Sequence, residues 1–173
     1  MRLTIREQPV IKSTVYAVIC LILMLFSYSF LPATRFTDHL PNLLIAVISS
    51  LALFEGVVYS CFFALFFSVL ETLILGTNTL LFPLFYVVFA MLCTWLFENV
   101  FVKNFFSWFC YTMGGLAIHG LISLFAPVSN WGISLSDVFF YTTVGTFTVS
   151  ACLSILIYPL FKLLKRKTDR TQK

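Results

Sequence analysis

Between Leu43 and Leu75 the sequence is almost continuous hydrocarbon, and charge enters it at only two places, Glu55-Gly56 near the middle and Glu71-Thr72 near the end. As one helix these roughly 33 residues would run about 50 Å, against a bilayer hydrocarbon core of about 30 Å. That is too long for one comfortable crossing and short for two. How this stretch folds therefore sets the topology of everything around it.

The rest of the chain confirms the solvent for which it is built. Apolar residues make up 60% of the 173 residues and charged ones 10%, with a mean hydropathy of +0.99. A soluble domain carries about 25% charged residues, so this is the composition of an integral membrane protein with short connections. Soluble-domain chemistry has no space within these residues. Cys20, Cys61, Cys93, Cys110 and Cys152 lie in separate apolar runs without a CxxC pair. A disulfide framework or zinc site needs them paired or clustered, so they read as small apolar side chains.

Taken in order, a basic lead-in with Arg2, Arg6 and Lys12 enters the apolar run Val15 to Leu31, which Pro32 ends. The run reaches spanning length and many apolar runs follow it, so it reads as a retained span and not a cleaved signal peptide. Pro41 is placed to open the next helix, where its missing N–H does no harm. Gly76-Thr77-Asn78 is a turn signal, and Pro83 falls in the first turn of the following run. Ser134 and Asp137 form a capping-box pattern ahead of the last run, which Pro159 is expected to bend.

Lys and Arg flanking a span are retained on the cytoplasmic side. Both ends of the chain are basic, the far end through Lys162, Lys165, Arg166, Lys167, Arg170 and Lys173, so the number of spans is even. Splitting the long stretch at Glu55-Gly56 gives six, with Lys103 also inside and only Arg35 outside. It also removes Glu55 from the bilayer centre, where an acidic residue costs roughly 2.5–3.5 kcal/mol on insertion scales. The expected fold is all-α: a polytopic integral membrane protein, a six-helix transmembrane bundle with both termini cytoplasmic. Its spans fall at about 15–31, 40–55, 57–75, 80–97, 105–126 and 138–160, with a basic tail 161–173. Tyr16, Tyr59, Trp95, Trp108 and Tyr158 then read as an inner interfacial belt, and Tyr28, Trp131 and Tyr141 as an outer one. The first arm of the hairpin, Leu43 to Phe54, is the short element, at about 18 Å.

Helices in lipid approach through small residues. Ser60, Ala64 and Ser68 recur every four residues and lead to Glu71; Thr142, Thr146, Ser150 and Ser154 make a second stripe. Either stripe packs inside the bundle or docks another membrane helix. Glu71 and His119 are intramembrane ionisable groups and so candidates for function, with a His facing the bundle interior the simpler reading of His119. The sequence has no HExxH, phosphate-binding Gly loop, Ser-His-Asp trio or paired membrane carboxylates. No catalytic, cofactor or metal residues are assigned. The basic tail orients the chain, and it also has the charge to meet anionic lipid.

The order of motifs resembles a family. Pro41-Asn42-Leu43-Leu44 before a short apolar helix, Glu55-Gly56 at a turn, a small-residue span ending in an acidic residue and Gly76, and Tyr158-Pro159-Leu160 before basic residues look like MreD, the rod-shape-determining membrane proteins of bacterial cell-wall elongation. Family members commonly have Gly and Asp where this chain has Ser60, Ala64, Ser68 and Glu71, and the density of Phe is atypical. The resemblance implies a non-enzymatic scaffold of the bacterial cytoplasmic membrane that binds MreC, with RodA, a penicillin-binding protein and MreB in the wider complex, and with no cofactor and no nucleic acid. The alternative is a substrate-binding subunit of an energy-coupling-factor vitamin transporter, a group of similar size and span number. Such a subunit needs a ligand pocket at the outer side, for which Asn130, Trp131, His39 and Glu71 are the available residues.

The even-span topology is tested by a reporter fused after Lys173: alkaline phosphatase should be inactive and a cytoplasmic fluorescent reporter active, and the reverse pattern excludes an even number of crossings.

Overall fold

The computed structural model describes residues 8–30, 41–75, 80–100, 102–131 and 144–171, which form six helices with no strand among them. Helix α1 is Gln8–Leu25 and closes in a π-helical turn, Phe26–Phe30. It is followed by α2 (Leu44–Glu55), α3 (Val57–Leu75), α4 (Leu81–Asn99), α5 (Phe105–Trp131) and α6 (Gly145–Thr171). Four of these, α3 to α6, are long and apolar enough to cross a membrane; the apolar parts of α1 and α2 are shorter.

The long apolar stretch is two helices, broken at a single residue. Gly56 has φ +87°, a conformation in which a Cβ would meet its own backbone and which glycine tolerates. Its N–H donates to Leu51 O at 3.2 Å and its carbonyl accepts from Ser60 N at 3.2 Å, so the backbone stays bonded through the break. α2 and α3 then pack against each other.

Side-chain partners fix the direction of every helix. Tyr16 and Lys12 of α1 reach Glu55, and Tyr28 at the other end of α1 reaches Glu71. α1 and α3 therefore run the same way, with α2 returning between them. In α4, Tyr86 meets Asn42 and Thr94 meets Ser60; in α5, Trp108 meets Ser50 and His119 meets Asn42. In α6, Ser150 meets Asn42 and Lys165 meets Phe54. The six helices alternate in direction, and Lys12 and Lys165 lie at the same end of the bundle as Glu55.

The shortest helix is the centre. α2 touches each of the other five, and every residue from Ile45 to Leu53 is buried. A helix buried on all sides is apolar all round instead of striped, and the sequence IAVISSLAL complies. Its two serines find partners within the bundle: Ser49 Oγ lies 2.8 Å from Thr112 Oγ1, and Ser50 Oγ accepts from Trp108 Nε1 at 3.0 Å. Because α2 meets protein around its whole circumference, its roughly 18 Å does not have to match the bilayer.

Several expectations are corrected. α1 begins at Gln8, so part of the basic lead-in is helical. α2 begins at Leu44, which leaves Pro41 ahead of the helix instead of in its first turn; the side chain of Asn42 accepts from Leu44 N–H in its place, at 3.1 Å. α5 continues through Pro127 to Trp131, and α6 continues through Pro159 to Thr171, so the basic tail is mostly helix. In α6 the periodicity persists past the proline, since Phe161 is buried and Leu164 partly so while Lys162 and Leu163 are exposed. The inner belt is also partly core: Tyr16, Trp108 and Tyr158 are buried, because their polar tips and ring faces have partners inside, whereas Trp95 is exposed. The Gly76-Thr77-Asn78 turn, the Ser134/Asp137 cap, Tyr141 and Thr142 lie outside the described residues.

Close approach of α2, α4 and α5 rests on Gly115. A Cβ there would come within 2.5 Å of the Phe89 ring and 2.9 Å of Ile45, whereas one on Gly114 meets nothing within 4 Å. Gly115→Ala is expected to destabilise by about 1–3 kcal/mol through overpacking, and Gly114→Ala to be neutral or slightly stabilising through helix propensity. Unfolding by SDS titration from mixed micelles, followed by circular dichroism, measures both.

Candidate functional site

The two ends of the bundle carry different chemistry. At the Glu55 end the groups are ionic. Lys12 Nζ pairs with Glu55 Oε2, Tyr16 donates to Glu55 Oε1 at 2.7 Å, and Lys165 donates to the Phe54 carbonyl at 2.6 Å. Phe54 and Glu55 are the last residues of α2, whose final carbonyls lack partners within the helix; a lysine there satisfies one and complements the negative end of the helix dipole. Lys12 also lies over the Tyr59 ring and Lys165 over the Phe54 ring. Tyr158 fills the space beside them, its ring 5.6 Å from Phe54, 5.1 Å from Phe105 and 5.2 Å from Trp108. This end is a latch: it ties α1 and α6 to the α2–α3 turn.

At the opposite end the groups are uncharged except for one carboxyl, and Asn42 organises them. Its backbone N–H donates to Ser150 Oγ at 2.8 Å, and its side-chain amide donates to Tyr86 Oη at 2.5 Å and to His119 Nε2 at 3.1 Å. With Oδ1 accepting from Leu44, both amide hydrogens and the carbonyl of a buried asparagine are engaged. His119 accepts at Nε2, which places its hydrogen on Nδ1, and its ring sits among Phe82, Phe85 and Tyr86 at 5.3–6.1 Å. Ser150 donates in turn to Thr146 O at 2.6 Å.

Glu71 joins this network through two tyrosines. Tyr28, from the π-helical turn of α1, donates to Oε1. Tyr86, which accepts from Asn42, is its other interacting neighbour. Oε2 is buried without a hydrogen-bond partner among the described residues. Glu71 also lines a cavity of about 20 Å³ whose other polar lining is Ser27 and Tyr28, and whose remaining walls are apolar or sulfur-bearing, Cys20 and Met24 among them. A carboxyl 4% exposed costs free energy unless its charge is neutralised or paired.

The small-residue stripes lie inside. Ser60, Ala64 and Ser68 are fully buried; Ser60 faces Thr94 across 3.2 Å and Ser68 bonds its own backbone. Ser150 and Ser154 are likewise buried, and Thr146 is half-buried. These faces are used within the chain and are not free for another helix. Glu71 and His119 come to the same end, His119 through Asn42 and Tyr86. His39 lies outside the described residues, as do the side chains of Asn130 and Trp131. No group of three or more His, Cys, Asp and Glu able to hold a metal ion occurs among the described residues.

Sequence reading singled out Asn42 only as part of a family motif, and placed Tyr28 in an interfacial belt. Tyr86 it passed over. The available signal was chemical: a tyrosine within an apolar run needs a hydroxyl partner, and Glu71 was the acidic group on offer. Comparison with protein families, with characterised proteins and with solved structures returned no match to this chain.

Asn42→Leu removes the hub while preserving volume, and leaves Tyr86 and His119 without a shared donor. It is expected to destabilise by about 2–4 kcal/mol, against about 1–3 kcal/mol for Ser150→Ala, which leaves only the buried Asn42 N–H without its acceptor. SDS-titration midpoints of the two variants give the comparison.

Proposed function

We propose that the protein is a non-enzymatic scaffold of the bacterial cytoplasmic membrane, of the MreD kind, which helps determine rod shape by holding MreC and, through it, the RodA and penicillin-binding-protein synthases that work with MreB. The observation that supports this reading best is the use of the interior. Among the described residues the buried polar side chains have hydrogen-bond partners, Glu71 Oε2 excepted, and the cavity beside Glu71 holds about 20 Å³, far below the 300–1,000 Å³ of a small-molecule site. A bundle filled in this way over its described residues has its outer surface to offer. The motifs that carry the resemblance, Asn42, Glu55-Gly56 and Tyr158-Pro159, hold the hub, the turn and the latch.

In this reading the Glu55 end faces the cytoplasm, in keeping with Lys12, Lys162 and Lys165 around it. With the small-residue stripes consumed internally, a partner helix meets an aromatic face instead. On α3 Val58, Phe62, Leu65, Phe66 and Leu73 are exposed, with Phe62 and Phe66 stacked at 6.4 Å. Flat, rigid rings offer large contact area at small entropic cost. The reading as a vitamin-transporter subunit draws on a different observation, the convergence of Asn42, Glu71, Tyr86 and His119 at the end that would face outward.

Affinity purification of the tagged chain after mild detergent extraction separates the two. MreC and cell-wall synthases should co-purify, and Phe62→Ala/Phe66→Ala should reduce their recovery several-fold with the chain still inserted. A transporter ATPase module recovered in their place would reverse the assignment. Depletion in a rod-shaped host should round the cells.

A further inference from the structure

The lysines at the Glu55 end are not equivalent. Lys12 pairs with Glu55, and Lys165, half-buried, donates to the Phe54 carbonyl at 2.6 Å, so both are used by the latch. Lys162 and Lys103 are exposed. Lys162 Nζ lies over the Tyr158 ring at 5.6 Å, and that ring meets Phe105, two residues beyond Lys103, at 5.1 Å. Among the described residues neither lysine pairs with a carboxylate: Glu98, exposed at the end of α4, reaches neither. Asp169 follows Lys162 by two turns of α6, about 10 Å along the axis. Two cations thus border one aromatic pair where α5 and α6 pack together. Deeper in the bundle the same flank turns apolar. Ile155, seven residues before Lys162 and so on the same side of α6, is exposed. On α5 the half-buried Phe109 stacks on Phe105 at 6.0 Å.

We propose that this flank of α5 and α6 seats one anionic phospholipid, its phosphate held by Lys162 and Lys103 and an acyl chain lying along Phe105, Phe109 and Ile155. Charge complementarity selects the occupant. Lysine meets a phosphate as a point charge on a flexible stem, and its stem lies on apolar surface while its head stays at the polar boundary. Basic sites between membrane helices suit acidic headgroups for this reason. A zwitterionic lipid offers the same phosphate but carries its own cation beside it, so it gains less from the two lysines. A partner's transmembrane helix packed here would press Lys162 against apolar side chains, which costs free energy. A bound lipid would brace α5 against α6 beside the latch. The inference requires only that the Glu55 end lie at a membrane surface, and it stands apart from which proteins the bundle holds.

The experiment is native mass spectrometry of the full-length chain released from detergent micelles that contain phosphatidylglycerol and phosphatidylcholine in equal amounts. The wild-type chain should retain phosphatidylglycerol saturably and several-fold in excess of phosphatidylcholine, and added glycerol 3-phosphate should not displace it. Lys162→Gln should reduce this retention several-fold and Lys103→Gln to a smaller extent, whereas Lys162→Arg should preserve it. Lys165→Gln removes the same charge from the same helix and, where circular dichroism shows it folded, should leave retention unchanged. Because Lys162 is exposed, the SDS-titration midpoint of Lys162→Gln should match wild type. Equal retention of the two lipids by the wild-type chain overturns the proposal whatever the variants do, and leaves these lysines to an acidic protein segment. Displacement by glycerol 3-phosphate overturns it in favour of a free phosphate ester. Equal losses in Lys162→Gln and folded Lys165→Gln overturn it in favour of diffuse attraction to the basic tail.

Discussion

A twelve-residue helix cannot cover the hydrocarbon core of a bilayer, and the arrangement of this protein follows from how that shortage is resolved. α2 spans about 18 Å, so lipid around it would have to thin. Surrounding it with the other five helices replaces lipid by protein and makes its length immaterial. Its polar groups must then be satisfied from the neighbours: Ser49 and Ser50 by α5, Asn42 just ahead of it by α4, α5 and α6, and the Phe54 carbonyl in its last turn by a lysine from α6. α4, α5 and α6 are thereby each held in rotation and height by a specific bond as well as by packing, which in lipid lacks a hydrophobic driving force.

The two clusters divide the task. Ionic groups sit at one end, where lysine side chains reach past apolar rings to a carboxylate and a carbonyl. At the other end neutral hydroxyls, an amide and an imidazole relay hydrogen bonds to one carboxyl. The middle is Phe, Ile, Leu and small residues, with Phe63 and Phe67 stacked within it. The bundle is held at its ends and filled between them, and among the described residues phenylalanine serves both in that filling and on the exposed faces of α3 and α5.

Much of the fold was readable from residues, for physical reasons that differ by element. Glu55-Gly56 marked the turn because a charge and a left-handed glycine conformation are both unfavourable within a lipid-facing helix. The stripes at Ser60, Ala64 and Ser68 marked a packed face because only small residues let backbones approach. What could not be read was which polar groups find each other. Tyr16 and Trp108 have the composition of interfacial residues, yet each is buried because a partner more than thirty residues away accepts its hydrogen. Sequence spacing carries no record of such pairs. Proline misled for a related reason: Pro127 is a helix breaker in water, but in a membrane protein a helix has little alternative to continuing.

The central place of α2 also bears on how the protein is made. α2 leaves the ribosome before four of the five helices that enclose it, α3 to α6. At that moment it is too short to rest stably across the bilayer, and Lys165, which satisfies its final turn, has not been synthesised. The first three helices must therefore enter the membrane in a provisional arrangement, and α2 becomes enclosed only when α6 arrives. Enclosure of α2 is thus completed only once α6 has entered, and a truncation that removes the end of α6 withdraws a support from the middle of the molecule as well as from its edge.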